Sequence, residues 1–180
     1  SLSESKVRPV SEELVNLFVE KGNDVRYELS FDKKRLNTKR ICSCVRSDEM
    51  CLIIAESYAH KADAANALKY LNLLRSKRIT GHVPYTESTL PAVDADALIK
   101  VDATGKPLTP LISAILNERR KEFYMEADRW FELKRNGRPE FWVAANGSKY
   151  ETLKYFYTAP LPKEDIDFGT GVIQNEGYTE

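Results

Sequence analysis

Residues 47–78, SDEMCLIIAESYAHKADAANALKYLNLLRSKR, constrain the fold of this 180-residue chain more than any other stretch. Two helical patterns sit there on a short link, HKAD. The first opens at Ser47, a residue suited to cap it, with Asp48 and Glu49 in a first turn where the helix dipole favours acids. An apolar stripe of Met50, Ile53, Ile54 and Tyr58 follows. The second pattern runs from about Ala62 to Arg78, with Ala64, Ala67, Leu68, Leu71 and Leu74 at three- and four-residue steps. Helices of this length on so short a link must fold back antiparallel on each other. Small alanines facing the link permit close approach, which is the grammar of tetratricopeptide-type repeats.

The rest of the chain reads around this hairpin. Pro9 and a capping Ser11 open a helix that carries Leu14, Leu17 and Phe18 and closes at KGND. Residues 26–46 read as irregular or extended, with a basic cluster at Lys33, Lys34, Arg35, Lys39 and Arg40. Residues 80–107 form a long connection rich in Gly, Pro, Asp and Thr, with room for a short turn or hairpin. Thr109 then caps and Pro110 occupies the first position of a helix that carries Leu111, Ile112, Ile115 and Leu116 and ends near Asn136-Gly137. The tail, 137–180, reads as irregular, with the aromatic run YETLKYFYTAPLP. Strand–helix alternation is lacking, so the class is all-α, with helical hairpins and long irregular loops in one region spanning 1–180.

Charge excludes several functions. The 27 basic residues equal the 27 acidic ones, so no overall field draws the chain to nucleic acid or an anionic membrane. Even the densest stretch, ILNERRKEFYMEADRWFELKR (115–135), sets six cations against five carboxylates and cancels most phosphate attraction locally. Its Glu118, Glu122 and Glu126 lie four apart on one helical face and would repel unless cations such as Arg119, Arg120 and Arg129 interleave. That pattern predicts an ion-pair network, with Phe123, Tyr124, Trp130 and Phe131 as packing groups. A di-iron helix pair would need Glu-x-x-His, which is missing. Neither G-x-S-x-G nor P-loop spacing occurs, DATGKP included, so the chain reads as a non-enzyme without cofactor. Cys42, Cys44 and Cys51 with His60 and His82 lack zinc-site spacing and read as free or partly buried thiols, with no metal. The opening SLSESKVRPV has no signal-peptide h-region, and no apolar run reaches the roughly 20 residues that span a bilayer.

Four motifs, in order, resemble the SusD/RagB family of outer-membrane nutrient-binding lipoproteins. NDVRYEL matches through Asp24 and Arg26. The hairpin matches through Arg46, Glu49, Leu52, Ala55, Glu56, Ala67, Leu71, Asn72 and Arg75. The charged stretch matches E-R-R-x-E-x-x-x-E-G-x-R-W-x-D-L-x-R through Glu118, Arg119, Arg120, Glu122, Glu126, Arg129, Trp130, Leu133 and Arg135. The tail matches through Pro160, Pro162, Glu164, Gln174, Asn175, Gly177 and Tyr178. Ala127 stands where that family has Gly and Glu132 where it has Asp, which leaves open whether the helix breaks at Ala127 or runs on.

The resemblance implies tetratricopeptide-like units acting as scaffold in a lipoprotein of the outer membrane's outer face. Its ligand would be an oligosaccharide or a peptide, its partner a TonB-dependent outer-membrane transporter, and its lipid anchor would lie outside this chain. It corresponds to the C-terminal third or so of a family member, so the chain is expected to be a piece of a longer protein or a short relative. Glycan contacts in the family come mostly from aromatics in loops outside these motifs, so no motif residue is carried over as a binding residue, and the loop aromatics that are candidates here are Trp142, Tyr150 and Tyr155. A second reading is a tetratricopeptide-like module that binds a protein partner and no sugar.

Overall fold

A computed structural model describes residues 10–40, 46–145 and 147–178. Cys42 and Cys44 lie outside those residues, while Cys51 carries a free, half-buried thiol. The chain divides into two compact units, Ser1–Ala95 with Pro107–Phe131, and Asp96–Lys106 with Glu132–Glu180.

The first unit is built on helices α1 (Glu12–Asn16), α2 (Val25–Ser30), α3 (Ser47–His60), α4 (Ala64–Arg78) and α5 (Pro110–Glu122). The α3–α4 hairpin turns through Lys61 and Ala62, and the Asp63 carboxylate caps α4 by accepting from Asn66 N–H at 3.1 Å. On α4 the expected face is buried: Ala67, Leu68, Leu71 and Leu74. On α3 the phase differs from the expected stripe. Leu52 and Ala55 are fully buried, whereas Met50 and Ile53 are about two-fifths exposed. The small Ala55 and Ala59 rather than the bulkier Met50 and Ile53 meet the core, as a closely approaching helix pair requires. That core joins Leu52, Ala55, Leu71 and Leu74 to Ala114, Ile115 and Phe123. Each fully buried leucine contributes about 1.5–3 kcal/mol.

Two local expectations need correction. Residues 26–30, read as irregular or extended, are helical, and Asp24 caps that helix through Arg26 N–H at 3.0 Å. The N-cap of α3 is Arg46 rather than Ser47, and Arg46 makes no side-chain cap bond because a guanidinium carries only donors and cannot accept from a backbone N–H; it donates to carboxylates instead. Ahead of α2, the short α1 ends at Asn16, and the chain continues through a 3₁₀ turn at Lys21–Asn23. Leu14, Phe18 and Phe31 form a second small core, with Tyr124 tilted against Phe31 at 5.1 Å.

The question left open at Ala127 resolves as a break: α5 stops at Glu122 and the chain resumes as α6 (Asp128–Arg135), which ends near the expected Asn136. Met125 and Ala127 sit at φ +63° and +62° in the break. A left-handed residue with a Cβ is strained by about 1–2 kcal/mol, and Ala127 is exposed, so its methyl gains no packing in return. Ala127→Gly should therefore raise the unfolding free energy by about 0.5–1 kcal/mol in a urea titration, the glycine's looser unfolded chain offsetting part of the relief. A decrease would show that the turn is not strained there.

In the second unit, strands β1 (Phe141–Ala145) and β2 (Ser148–Thr152) pair antiparallel, with Trp142 opposite Glu151 and Val143 opposite Tyr150. A 3₁₀ turn at Lys154–Tyr157 and helix α7 (Lys163–Phe168) follow. Gly137, at φ +86°, has no room for a Cβ, which would lie 2.5 Å from the Val101 side chain. The fold is all-α in class, and its one small sheet among the described residues is this hairpin.

Candidate ligand-binding site

The charged stretch is the first place to look for chemistry, and the structure gives its carboxylates a structural role. Glu118 accepts from Lys121 Nζ at 2.6 Å, pairs with Arg26 Nη2 at 2.9 Å, and pairs with Arg75. Glu122 is held by Arg26, Arg46 and Arg78, the last through Nε at 3.1 Å and Nη2 at 3.0 Å. Glu126 receives Lys39 at 2.6 Å and Arg46 at 3.0 Å. Arg26 in turn grips Asp24 bidentately at 2.9 and 2.7 Å. Glu118 and Glu122 are nearly fully buried.

An ion-pair network was expected here, but its cations come mostly from other elements. Lys121 is a local partner; Arg26, Lys39, Arg46, Arg75 and Arg78 arrive from α2 and the loop after it, from the start of α3, and from α4. Arg119 turns instead to Asp128 and Glu49, at 2.5 and 3.2 Å, and Arg120 to Glu13 at 2.6 Å. Burial alone would raise the Glu118 pKa, but the charges of Lys121, Arg26 and Arg75 outweigh it and hold the carboxyl down at about 2. Glu122 is also held below its usual value: burial is outweighed by the Arg78 hydrogen bond and by the charges of Arg78, Arg26 and Arg46. Carboxylates so strongly ionised and so fully matched are poor general acids or bases. The cavity of about 420 Å³ beside them is lined by Arg26, Lys39, Arg46, Arg78, Glu122 and Glu126, which are bonded to one another.

Of the packing aromatics, Phe123 is buried and Tyr124 half-buried, but Phe131 is 66% exposed and Trp130 39% exposed. The helix break reorients α6, so these two rings do not follow Phe123 into the core.

The three ligand-binding candidates fall in two places in the second unit. Trp142 and Tyr150 are on strands rather than loops, 60% and 53% exposed. The register puts them on opposite faces of the hairpin, because Trp142 faces Glu151 and Tyr150 faces Val143. Lys149 reaches over the Trp142 ring at 5.6 Å. The two rings therefore cannot share a sugar. Tyr155 lines a separate cavity of about 420 Å³, together with Arg138, Glu140, Lys154, Asn175 and Glu176.

Tyr155 is braced on several sides. Phe156 and Tyr178 meet its ring edge-on at 4.4 and 5.0 Å. Gly177, at φ +89°, lies so close that an added Cβ would stand 2.3 Å from the ring. Gln174 exchanges two hydrogen bonds with the Leu161 backbone, donating to its carbonyl and accepting from its N–H, and Asn175 donates to Ala159 O at 2.7 Å. Spacing along the chain could not pair Tyr155 with Arg138 or Glu176, since those segments meet only through the fold. Among the described residues no His, Cys, Asp and Glu cluster could hold a metal ion.

The geometry defines a class: a tetratricopeptide-like helical scaffold locked by matched buried charges, and a second, smaller unit that presents exposed aromatics and a polar cavity. The chain belongs to the SusD family, whose sequence model matches residues 16–178. A crystal structure of a Bacteroides vulgatus ATCC 8482 protein, assigned as sugar binding, resembles it with a TM-score of 0.56 at 25% identity. That match covers 92% of this chain and 38% of the other, so this chain spans well under half the length of its relative. Curated proteins yield no match.

Proposed function

We propose that this chain serves non-catalytic capture of an oligosaccharide, or a similar nutrient, for delivery to a TonB-dependent transporter of the outer membrane. The observation that carries this reading is the SusD family match over residues 16–178. The assignment of the B. vulgatus relative as sugar binding points the same way. In this reading the first unit is mainly scaffold: the motif residues Asp24, Arg26, Arg46, Arg75, Glu118, Glu122 and Glu126 converge on one ion-pair cluster. Exposed aromatic rings such as Trp142 and Tyr150 are what stacking on a sugar face needs. No helix among the described residues is long and apolar enough to cross a membrane. Attachment there through a lipid anchor outside this chain is the reading that the family match supports.

Calorimetric titration against a panel of oligosaccharides and peptides should show binding of at least one saccharide. A correctly folded protein that binds none of them would sink the reading. Affinity purification from detergent-solubilised outer membranes should recover a TonB-dependent transporter; recovery of a soluble cytoplasmic partner in its place would favour a protein-interaction module.

A further inference from the structure

We infer that the cavity beside Tyr155 is a subsite for one neutral, hydroxyl-rich sugar unit. This deepens the reading above and rests on it. The cavity's volume of about 420 Å³ lies in the lower part of the range of small-ligand sites, roughly 300–1,000 Å³.

Its walls are fixed before any ligand arrives. The Tyr157 hydroxyl donates to Pro139 O at 2.7 Å, and Lys154 N–H donates to Glu140 Oε1 at 3.0 Å, which ties segment 139–140 to the 3₁₀ turn. The Gln174 and Asn175 bonds hold the opposite wall. Gly177 presses against the Tyr155 ring without a side chain of its own, so the ring cannot swing away on that side. A preorganised aromatic surface loses little entropy when a ligand stacks on it.

The polar groups that remain free identify the ligand class. The Arg138 guanidinium, the Lys154 ammonium and the Glu176 carboxylate make no hydrogen bond or ion pair with the described residues. Glu140 keeps one carboxylate oxygen unused. Arg138 is also held at φ +51°, a conformation uncommon for a side-chain-bearing residue, with its N–H bonded to Leu133 O at 3.1 Å. Two cations and two carboxylates thus surround one ring with no net charge. A hydroxyl both donates and accepts, so a polyol can use both signs at once, through charge-assisted bonds. An acidic sugar would meet Glu140 and Glu176 and gain no net attraction. Trp142 and Tyr150 do not line the cavity.

The test titrates the full chain with maltohexaose, cellohexaose, xylohexaose and mannohexaose, and with tetragalacturonate as the acidic comparison. At least one neutral oligosaccharide should bind, and more tightly than tetragalacturonate. Tyr155→Ala should weaken that binding by about tenfold or more and Arg138→Gln by about fivefold, as loss of a stacking face and of a charged hydrogen bond predicts. Tyr155→Phe, which keeps the stacking face, should stay within about twofold of wild type. Saturating ligand should shift the Thr158 and Gly177 amide resonances. Should Tyr155→Ala fail to fold, Arg138→Gln decides, since its guanidinium supports no other residue. Neutral-sugar binding that survives both Tyr155→Ala and Arg138→Gln unchanged would overturn the subsite while leaving glycan capture standing. Preference for tetragalacturonate would overturn the neutral class. A folded wild type that binds nothing would overturn both readings.

Discussion

Glu118→Ala should lower the unfolding free energy by about 3–5 kcal/mol, measured by urea denaturation at neutral pH. Glu118 is 2% exposed and faces three cations, Lys121, Arg26 and Arg75. Removing it leaves those charges short of a partner in a place water does not reach. Arg26 keeps Asp24, and Arg75 keeps Glu20 at 2.7 Å and the Tyr85 ring at 3.8 Å, so the loss is not the full cost of three bare charges. Lys121 fares worst, being 3% exposed in its side chain and bonded to Glu118 at 2.6 Å. The exposed Lys149–Glu151 pair has the same 2.6 Å separation, yet Lys149→Ala should cost far less, because solvent screens it. Equal losses at the two sites would mean that burial does not govern these pairs.

Acid should unfold the protein in a window set by the same carboxyl. The Glu118 pKa is about 2 when folded and 4.5 ordinarily. Between those values the unfolded chain binds the proton and the folded chain does not, so stability falls as pH falls. The contribution is fully present above pH 4.5, disappears on approach to pH 2, and is on the order of 3 kcal/mol. Glu122 is shifted in the same direction and adds to the decline. Urea midpoints should therefore hold steady from pH 7 to about 5 and then drop, and Glu118→Ala should flatten that drop. A midpoint unchanged down to pH 3 would contradict the assignment.

Much of the scaffold was legible in the sequence because its causes are local. Ala67, Leu68, Leu71 and Leu74 repeat with the helical period, HKAD marks the link between α3 and α4, and Thr109 is a good cap that sets the start of α5. The phase of α3 was not legible, since Met50 and Ile53 look as apolar as Leu52, and only packing against neighbouring helices selects the small face. α2 was missed because six residues cannot form a stable helix alone; Asp24 and the buried pairs of Arg26 hold it. The hairpin around Trp142 did carry a signal. Asn146-Gly147 between FWVAA and SKYET is the commonest short-hairpin dipeptide, and the tail's loop-like composition masked it.

The candidate site was less legible. Glu118, Glu122 and Glu126 announced an ion-pair network, but cations near them in sequence suggested local partners. The actual partners stand 43 positions away for Arg75 with Glu118 and 96 for Arg26 with Glu122. No periodicity reports such a distance. The cavity at Tyr155 is assembled from segments near 138–140, 153–158 and 175–177, and its bracing depends on the backbone of Gly177. Tyr155 alone could be singled out as an aromatic; its neighbours could not.

The long reach of those ion pairs bears on how such a chain can diverge. A lone exchange in the cluster strands a charge, and restoring neutrality needs a second change in a segment dozens of residues away. Drift by single steps is thus free in the loops and on exposed helix faces but obstructed at these charges. That leaves a sparse, ordered set of acids and bases readable in a chain only 25% identical to a structure it resembles over 92% of its length.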